Sequence, residues 1–198
     1  IVLTTELQSV PYVDLTIEIL NKFGVKVERP NSRNFIIKGN QSFKPAKIYC
    51  EGDWSNAAFL DAFNLLGGNV TVLGLNPESC QGDKIYKAYF EKLKQGAPVL
   101  DVSNCPDLAP VLMTMASFLN GATLKGTSRL KIKESDRGEV MKKELSKFSA
   151  DIIVSEDEII IKKSQLSPPK EFLCGNSDHR IAMSLTLLCS VFGGKIEN

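Results

Sequence analysis

Apolar residues recur along this chain in two rhythms, and their alternation predicts an α/β fold. Val140, Met141, Leu145 and Phe148 follow one another at spacings of one, four and three, the apolar stripe of an amphipathic helix over Glu139 to Phe148, and a similar helix is predicted from Val13 to Phe23. A longer apolar helix is expected from Ile181 to Phe192. Between the helices lie short β runs: Ile1-Val-Leu-Thr-Thr5, Ala122-Thr-Leu-Lys-Gly126, and the hairpin strands Phe35-Ile-Ile-Lys38 and Ile159-Ile-Ile-Lys162.

These elements recur in a fixed order. A shift of 125 residues carries Asn21-Lys22-Phe23 onto Ser146-Lys147-Phe148, Asp53 onto Asp178 and Ala57 onto Ala182. Each block reads as an amphipathic helix, a hairpin, a variable loop, an Asp, an apolar helix, a Gly pair (67 and 68, or 193 and 194) and a final strand. A half-repeat runs from Asp107 through a helix at Val111 to Leu119 into Ala122 to Lys125. Asn76-Pro-Glu-Ser-Cys-Gln-Gly-Asp83 is rich in turn formers and lacks periodicity, so two lobes are expected, residues 1–80 and 81–198. A crevice between lobes is a favoured ligand site.

Composition narrows the classes. Of 198 residues 43% are hydrophobic and 24% charged, with net charge +1, so the concentrated basic excess of a nucleic-acid protein is missing. No apolar run approaches the ~20 residues that span a bilayer, and the N-terminus lacks a basic segment followed by an apolar one. The expectation is a soluble, cytosolic protein without membrane or nucleic-acid partners. Cys50, Cys80, Cys105, Cys174 and Cys189 never form a C-x-x-C pair, and all five read as structural thiols. With one His in the chain, no metal is expected. The chain begins at Ile1 inside one β run and stops at Lys195-Ile-Glu-Asn198 as another begins, which reads as a piece of a longer polypeptide.

The chemistry concentrates in Arg129-Leu-Lys131-Ile-Lys133-Glu134-Ser135-Asp136-Arg137, four cations and two carboxylates where strand gives way to helix. Unpaired backbone N–H groups and the positive end of the dipole favour an anion at a helix start, and nearby Lys and Arg strengthen the attraction. The simpler reading is that Ser135 or Asp136 caps the helix, with Glu139 completing a capping box. A second such start, Asn176-Ser-Asp178-His179-Arg180, precedes the long apolar helix. Capping alone also accounts for Asp53, Asp178 and Asp107, and Trp54 and Tyr86 read as packing residues.

Four strings in order, Glu51-Gly-Asp-Trp-Ser55, Gln81-Gly-Asp83, Lys133-Glu-Ser-Asp-Arg137 and Asp178-His-Arg-Ile-Ala-Met183, together resemble the 5-enolpyruvylshikimate-3-phosphate (EPSP) synthase family, over its C-terminal half or so. The resemblance implies two lobes of βαβαββ units, an inside-out α/β barrel, incomplete here, with residues 1–80 as the last unit of the first lobe. It implies transfer of an enolpyruvyl group from phosphoenolpyruvate to the 5-hydroxyl of shikimate 3-phosphate, with release of phosphate, in a monomeric cytosolic enzyme that needs no metal or organic cofactor. Residue by residue it implies Asp107 as the base near the 5-hydroxyl, Glu134 as the acid that exchanges a proton with the methylene, and Lys133 as the adjacent cation. Arg137, Arg180 and neighbouring His179 would meet phosphoenolpyruvate; Ser9, Tyr12, Asp107, Lys133 and Arg129 would meet shikimate 3-phosphate. His179 reads equally as a structural residue, and Arg129 stands where some members have Asn. The family's N-terminal substrate-binding segments and its C-terminal Lys-Thr segment have no counterpart, so this chain alone is expected to be inactive. The rival readings are the related UDP-N-acetylglucosamine enolpyruvyl transferase and a noncatalytic module that kept the fold.

Overall fold

Three aspartates start three of the helices, as the sequence suggests. In the computed structural model, which describes residues 1–197, the Asp53 carboxylate accepts the Ser55 N–H at 2.8 Å and opens α2 (Trp54–Leu65). Asp178, its counterpart in the repeat, accepts the Arg180 N–H at 3.0 Å and opens α6 (His179–Phe192). Asp136 accepts the Glu139 N–H at 3.2 Å and opens α5 (Arg137–Ser146). A side-chain cap of this kind satisfies an otherwise orphaned N–H and contributes about 0.5–2 kcal/mol.

The main sheet has the strand order β3 (Val99–Asp101), β4 (Ala122–Lys125), β6 (Glu158–Ile161), β5 (Ile152–Val154). Helix α4 (Ala109–Phe118) makes the crossover that leaves β3 and β4 parallel, while β4/β6 and β5/β6 are antiparallel. Alternation decides which side chains face inward: Ala122 and Leu124 of β4 and Ile159 and Ile161 of β6 are buried. Every residue of α4 from Ala109 to Ser117 is buried, and the helix touches α2, α3 (Tyr86–Gln95), α5 and α6. A helix apolar all round belongs at the centre of a core.

That core also includes Trp54, Ala57, Ala58, Phe59 and Ala62 of α2, with Trp54 packed on Tyr86 at 6.1 Å between ring centroids. α2 therefore packs with elements that follow residue 81, across the division drawn from the turn-rich stretch. By contrast α1 (Val10–Lys22) has no buried residue, and it lies beside the hairpin β1 (Val27–Asn31) and β2 (Asn34–Ile37). Bonds from Ser9 N–H to the Ser103 carbonyl (3.2 Å) and from Val10 N–H to Asn104 Oδ1 (3.1 Å) tie its start to the rest.

Two expected strands do not form. The Ile1 to Thr5 run meets the hairpin only at its start: Ile1 exchanges both backbone bonds with Phe35 (2.8 and 3.0 Å), Val2 bridges Asn34, and the Leu3 N–H donates to the Arg33 carbonyl (2.8 Å) in the β1–β2 turn, where the pairing stops. After Gly68 the chain stays irregular: the Asn64 side chain takes both backbone bonds of Val70 (2.8 and 2.7 Å), the groups a neighbouring strand would use. In the second block the strand does form, as β8 (Ile196–Glu197) parallel to β7 (Leu173–Cys174); Asn198, the end of that predicted run, lies outside the described residues. Cys50 is exposed, contrary to its reading as a packed thiol. Among the described residues no helix is long and apolar enough to cross a membrane.

Gly121 turns the chain from α4 into β4 at φ +84°, where a Cβ would stand 2.6 Å from the Ile161 carbonyl oxygen. Gly121→Ala combines left-handed strain with a backbone clash, so it should lower unfolding free energy by about 1–3 kcal/mol. Urea titration should show a lower midpoint at an unchanged slope; an unchanged midpoint contradicts the packing described.

Candidate active site

The starts of α4, α5 and α6 point at one place, and Arg137 fills it. Its side chain is 1% exposed. Nε donates to Asp178 Oδ2 (2.9 Å), Nη1 to Asp107 Oδ1 (2.8 Å), and Nη2 to Glu134 Oε2 (2.5 Å). Ser135 Oγ donates to the same Asp178 oxygen at 3.0 Å, so Asp178 both caps α6 and clamps Arg137. Asp107, in the 3-10 turn Pro106–Leu108 that leads into α4, is also ion-paired with Lys133 Nζ through Oδ1 at 3.0 Å and with Arg180 Nη2 through Oδ2 at 3.1 Å.

Three cations thus face three carboxylates. Burial pushes the Asp107 carboxyl upward, yet Arg180, Lys133 and Arg137 outweigh it and hold it below the usual carboxylate range. Asp178 is likewise pushed up by burial and brought lower overall by its bonds with Arg137 and the Arg180 N–H. A depressed folded-state pKa stabilises the fold fully above the unfolded value near ~3.9 and loses that contribution as pH falls through the folded value. Stability should therefore drop on acidification below about pH 4, more steeply in the wild type than in Asp178→Asn. Urea midpoints at successive pH values measure this, and parallel acid limbs contradict it.

A crevice of about 1030 Å³ opens beside this cluster, lined among others by Tyr12, Ser55, Gln81, Asp83, Asp107 and Arg180. Arg180 is 8% exposed, and its Nη1 is buried without a hydrogen-bond partner among the described residues. A buried N–H group left unpaired costs free energy that an anionic ligand recovers. Arg137 differs, because each of its three nitrogens already donates to a carboxylate. Among the described residues no group of three or more His, Cys, Asp or Glu is placed to hold a metal ion.

The structure gathers Asp107, Lys133, Glu134, Arg137 and Arg180 into one bonded network and puts Tyr12 on the crevice wall. It does not bring the others in. His179 is exposed at the first turn of α6. Ser9, at φ 56°, starts α1 beside Ser103 but is not among the crevice-lining residues. Arg129 sits in the 3-10 turn Ser128–Ile132, its Nε buried and unpartnered among the described residues. Sequence reasoning missed the clamp role of Asp178, which looked like a cap, and missed Asp83, whose only signal was the Gln81-Gly82-Asp83 string.

A family model described as EPSP synthase (3-phosphoshikimate 1-carboxyvinyltransferase) matches residues 1–197. A 3-phosphoshikimate 1-carboxyvinyltransferase of Clostridium kluyveri is 41% identical, with 95% of this chain and 48% of that protein covered. One of Clostridium acetobutylicum is 40% identical over 92% of this chain and 46% of its own length. The chain spans about half the length of these relatives. A solved EPSP synthase from Acinetobacter baumannii aligns with TM-score 0.64 at 22% identity, covering 91% of this chain and 47% of that one. The enolpyruvyl transferase NikO from Streptomyces tendae aligns with TM-score 0.61 at 12% identity, covering 96% and 48%. At these identities the solved structures speak for the fold alone: an incomplete α/β arrangement of the enolpyruvyl transferase type.

Proposed function

Because this chain belongs to the EPSP synthase family, we propose that it forms about half of a cytoplasmic, monomeric enzyme that transfers an enolpyruvyl group from phosphoenolpyruvate to the 5-hydroxyl of shikimate 3-phosphate. The observation that carries this reading is the convergence of Asp107, Lys133, Glu134, Arg137 and Arg180 where α4, α5 and α6 begin. The turn-rich stretch at 76–83 suggests a division at residues 80 and 81; the packing of α2 in the main core favours a boundary ahead of Asp53.

The reaction needs a hydroxyl to lose a proton, a methylene carbon to gain one, and a tetrahedral adduct to release phosphate. Asp107, kept ionised by three cations, is the acceptor for the hydroxyl proton. Glu134 is half exposed and held by a single bond from Arg137, so it is free to reach a methylene and exchange a proton with it. Lys133, ion-paired with Asp107 and adjacent to Glu134 in sequence, is the cation beside both proton-transfer groups. Arg180, with its open Nη1, grips phosphoenolpyruvate; Arg137, with each nitrogen already on a carboxylate, holds the cluster in place. The cluster is charge-balanced as it stands. Two polyanions therefore require further cations, which the remaining half of a full-length protein supplies.

Arg180→Met in the full-length protein should raise KM for phosphoenolpyruvate roughly 10- to 100-fold, the equivalent of a charged hydrogen bond worth about 1.5–3 kcal/mol, with a smaller effect on kcat. Steady-state phosphate release with both substrates measures it. An unchanged KM removes Arg180 from the binding site.

A further inference from the structure

Beyond the Arg137 cluster the crevice holds a second buried carboxylate. Asp83 is 2% exposed. Its Oδ2 accepts the Tyr12 phenol at 2.9 Å and the Ser55 hydroxyl, while Oδ1 is buried with no partner among the described residues. One carboxylate thereby joins α1, α2 and the 3-10 turn Gly82–Ile85. The turn itself is fixed to the start of α2: Gln81 Oε1 accepts the Trp54 N–H at 2.9 Å, and Gln81 Nε2 donates to the Gly52 carbonyl at 3.0 Å.

Gly82 lets α1 come this close. A Cβ there would stand 2.7 Å from Pro11 Cγ and 2.8 Å from the Asn104 carbonyl oxygen. With hydrogen in its place, Pro11 rests on the turn and the next residue, Tyr12, reaches Asp83.

The chemistry of this contact is directional. A phenol has one hydrogen to donate, and although burial pushes the Asp83 carboxyl upward against the bonds from Ser55 and Tyr12, both hydroxyls donate to Oδ2, which is the acceptor here. Once the Tyr12 hydrogen is given to Asp83, Tyr12 presents lone pairs to whatever occupies the crevice. Burial, Asp83 and Asp107 push the Tyr12 phenol above its ordinary range, so it remains neutral throughout the working pH range. A neutral acceptor suits a ligand hydroxyl and disfavours a phosphate or carboxylate oxygen.

We propose that Asp83 is a positioning residue that commits the Tyr12 phenol to accept a hydrogen bond from a hydroxyl of the substrate. This rests on the function proposed above, which supplies the hydroxyl-bearing ligand, shikimate 3-phosphate. A carboxylate serving only to tie three segments together would affect both substrates alike.

The test measures kcat and both KM values in full-length wild type, Tyr12→Phe, Asp83→Ala, Asp83→Asn and the Tyr12→Phe/Asp83→Ala pair. Tyr12→Phe and Asp83→Ala should each raise KM for shikimate 3-phosphate about 3- to 10-fold, the range of one neutral hydrogen bond. That rise should exceed any change in kcat or in KM for phosphoenolpyruvate. The double variant should be no worse than either single one. Asp83→Asn should stay near wild type, since the amide oxygen still accepts the phenol hydrogen. An active wild type whose KM for shikimate 3-phosphate is unmoved by Tyr12→Phe overturns the inference alone, whether or not Asp83→Ala folds. So does a uniform loss in both KM values and kcat. A wild type without turnover overturns the functional reading, and this inference with it.

Discussion

Arg137→Met should cost about 3–5 kcal/mol of stability, the penalty for removing one partner of a buried ion pair. Arg137 is 1% exposed and the Asp178 side chain 0%, so no water is at hand to solvate the carboxylate left behind. Asp107 keeps Lys133 and Arg180, and Glu134 is half exposed, so the damage falls mainly on Asp178. The double variant Arg137→Met/Asp178→Asn should recover part of the loss, because a neutral amide still caps α6 and leaves no orphaned charge. Urea unfolding of the three proteins measures both effects. A midpoint for Arg137→Met within error of wild type contradicts the hub role.

Much of the fold was legible because its signals are local. Asp53 and Asp178 share a place in the repeat and make the same capping bond, since an N-cap depends only on residues within a turn. The hairpin strands around Phe35 and Ile159 and the helices that follow the caps were readable for the same reason. Strand formation at Ile1 to Thr5 and after Gly68 was not legible. A strand needs a partner from elsewhere in the chain; the Ile1 run meets β2 only at Ile1 and Val2 before the hairpin turn, and Asn64 satisfies Val70 first.

The candidate site was legible in its members and misread in its balance. A run of Arg and Lys at a helix start suggests cations open to an anion. Two of the three carboxylates on Arg137 come from Asp107 and Asp178, distant in sequence, and their arrival closes Arg137 and leaves Arg180 as the open donor. Asp83 escaped notice because an Asp after Gly in a turn is ordinary; only the fold shows that it is buried against Tyr12 and Ser55.

The largest catalytic effects should come from the two proton-transfer residues. Glu134→Gln keeps the size of the side chain and its acceptor for Arg137 while removing the titratable proton, so kcat should fall roughly 10²-fold or more, the usual scale for a general acid or base. Asp107→Asn removes the acceptor for the hydroxyl proton and should do the same. Since Asp107 also balances Arg180, Lys133 and Arg137, the neutral Asn leaves the cluster one charge more positive. Ground-state binding of an anion should then persist or tighten while turnover is lost.

That separation of binding from turnover tests the central claim most directly. In full-length protein, kcat for phosphate release and the affinity for shikimate 3-phosphate by calorimetry should be measured for wild type and Asp107→Asn. The account predicts wild-type turnover within roughly 1–10³ per second, and an Asp107→Asn protein that binds shikimate 3-phosphate while turning over at least about 10²-fold more slowly. An Asp107→Asn enzyme with near wild-type kcat would show that the cluster where α4, α5 and α6 begin is not where the proton is taken.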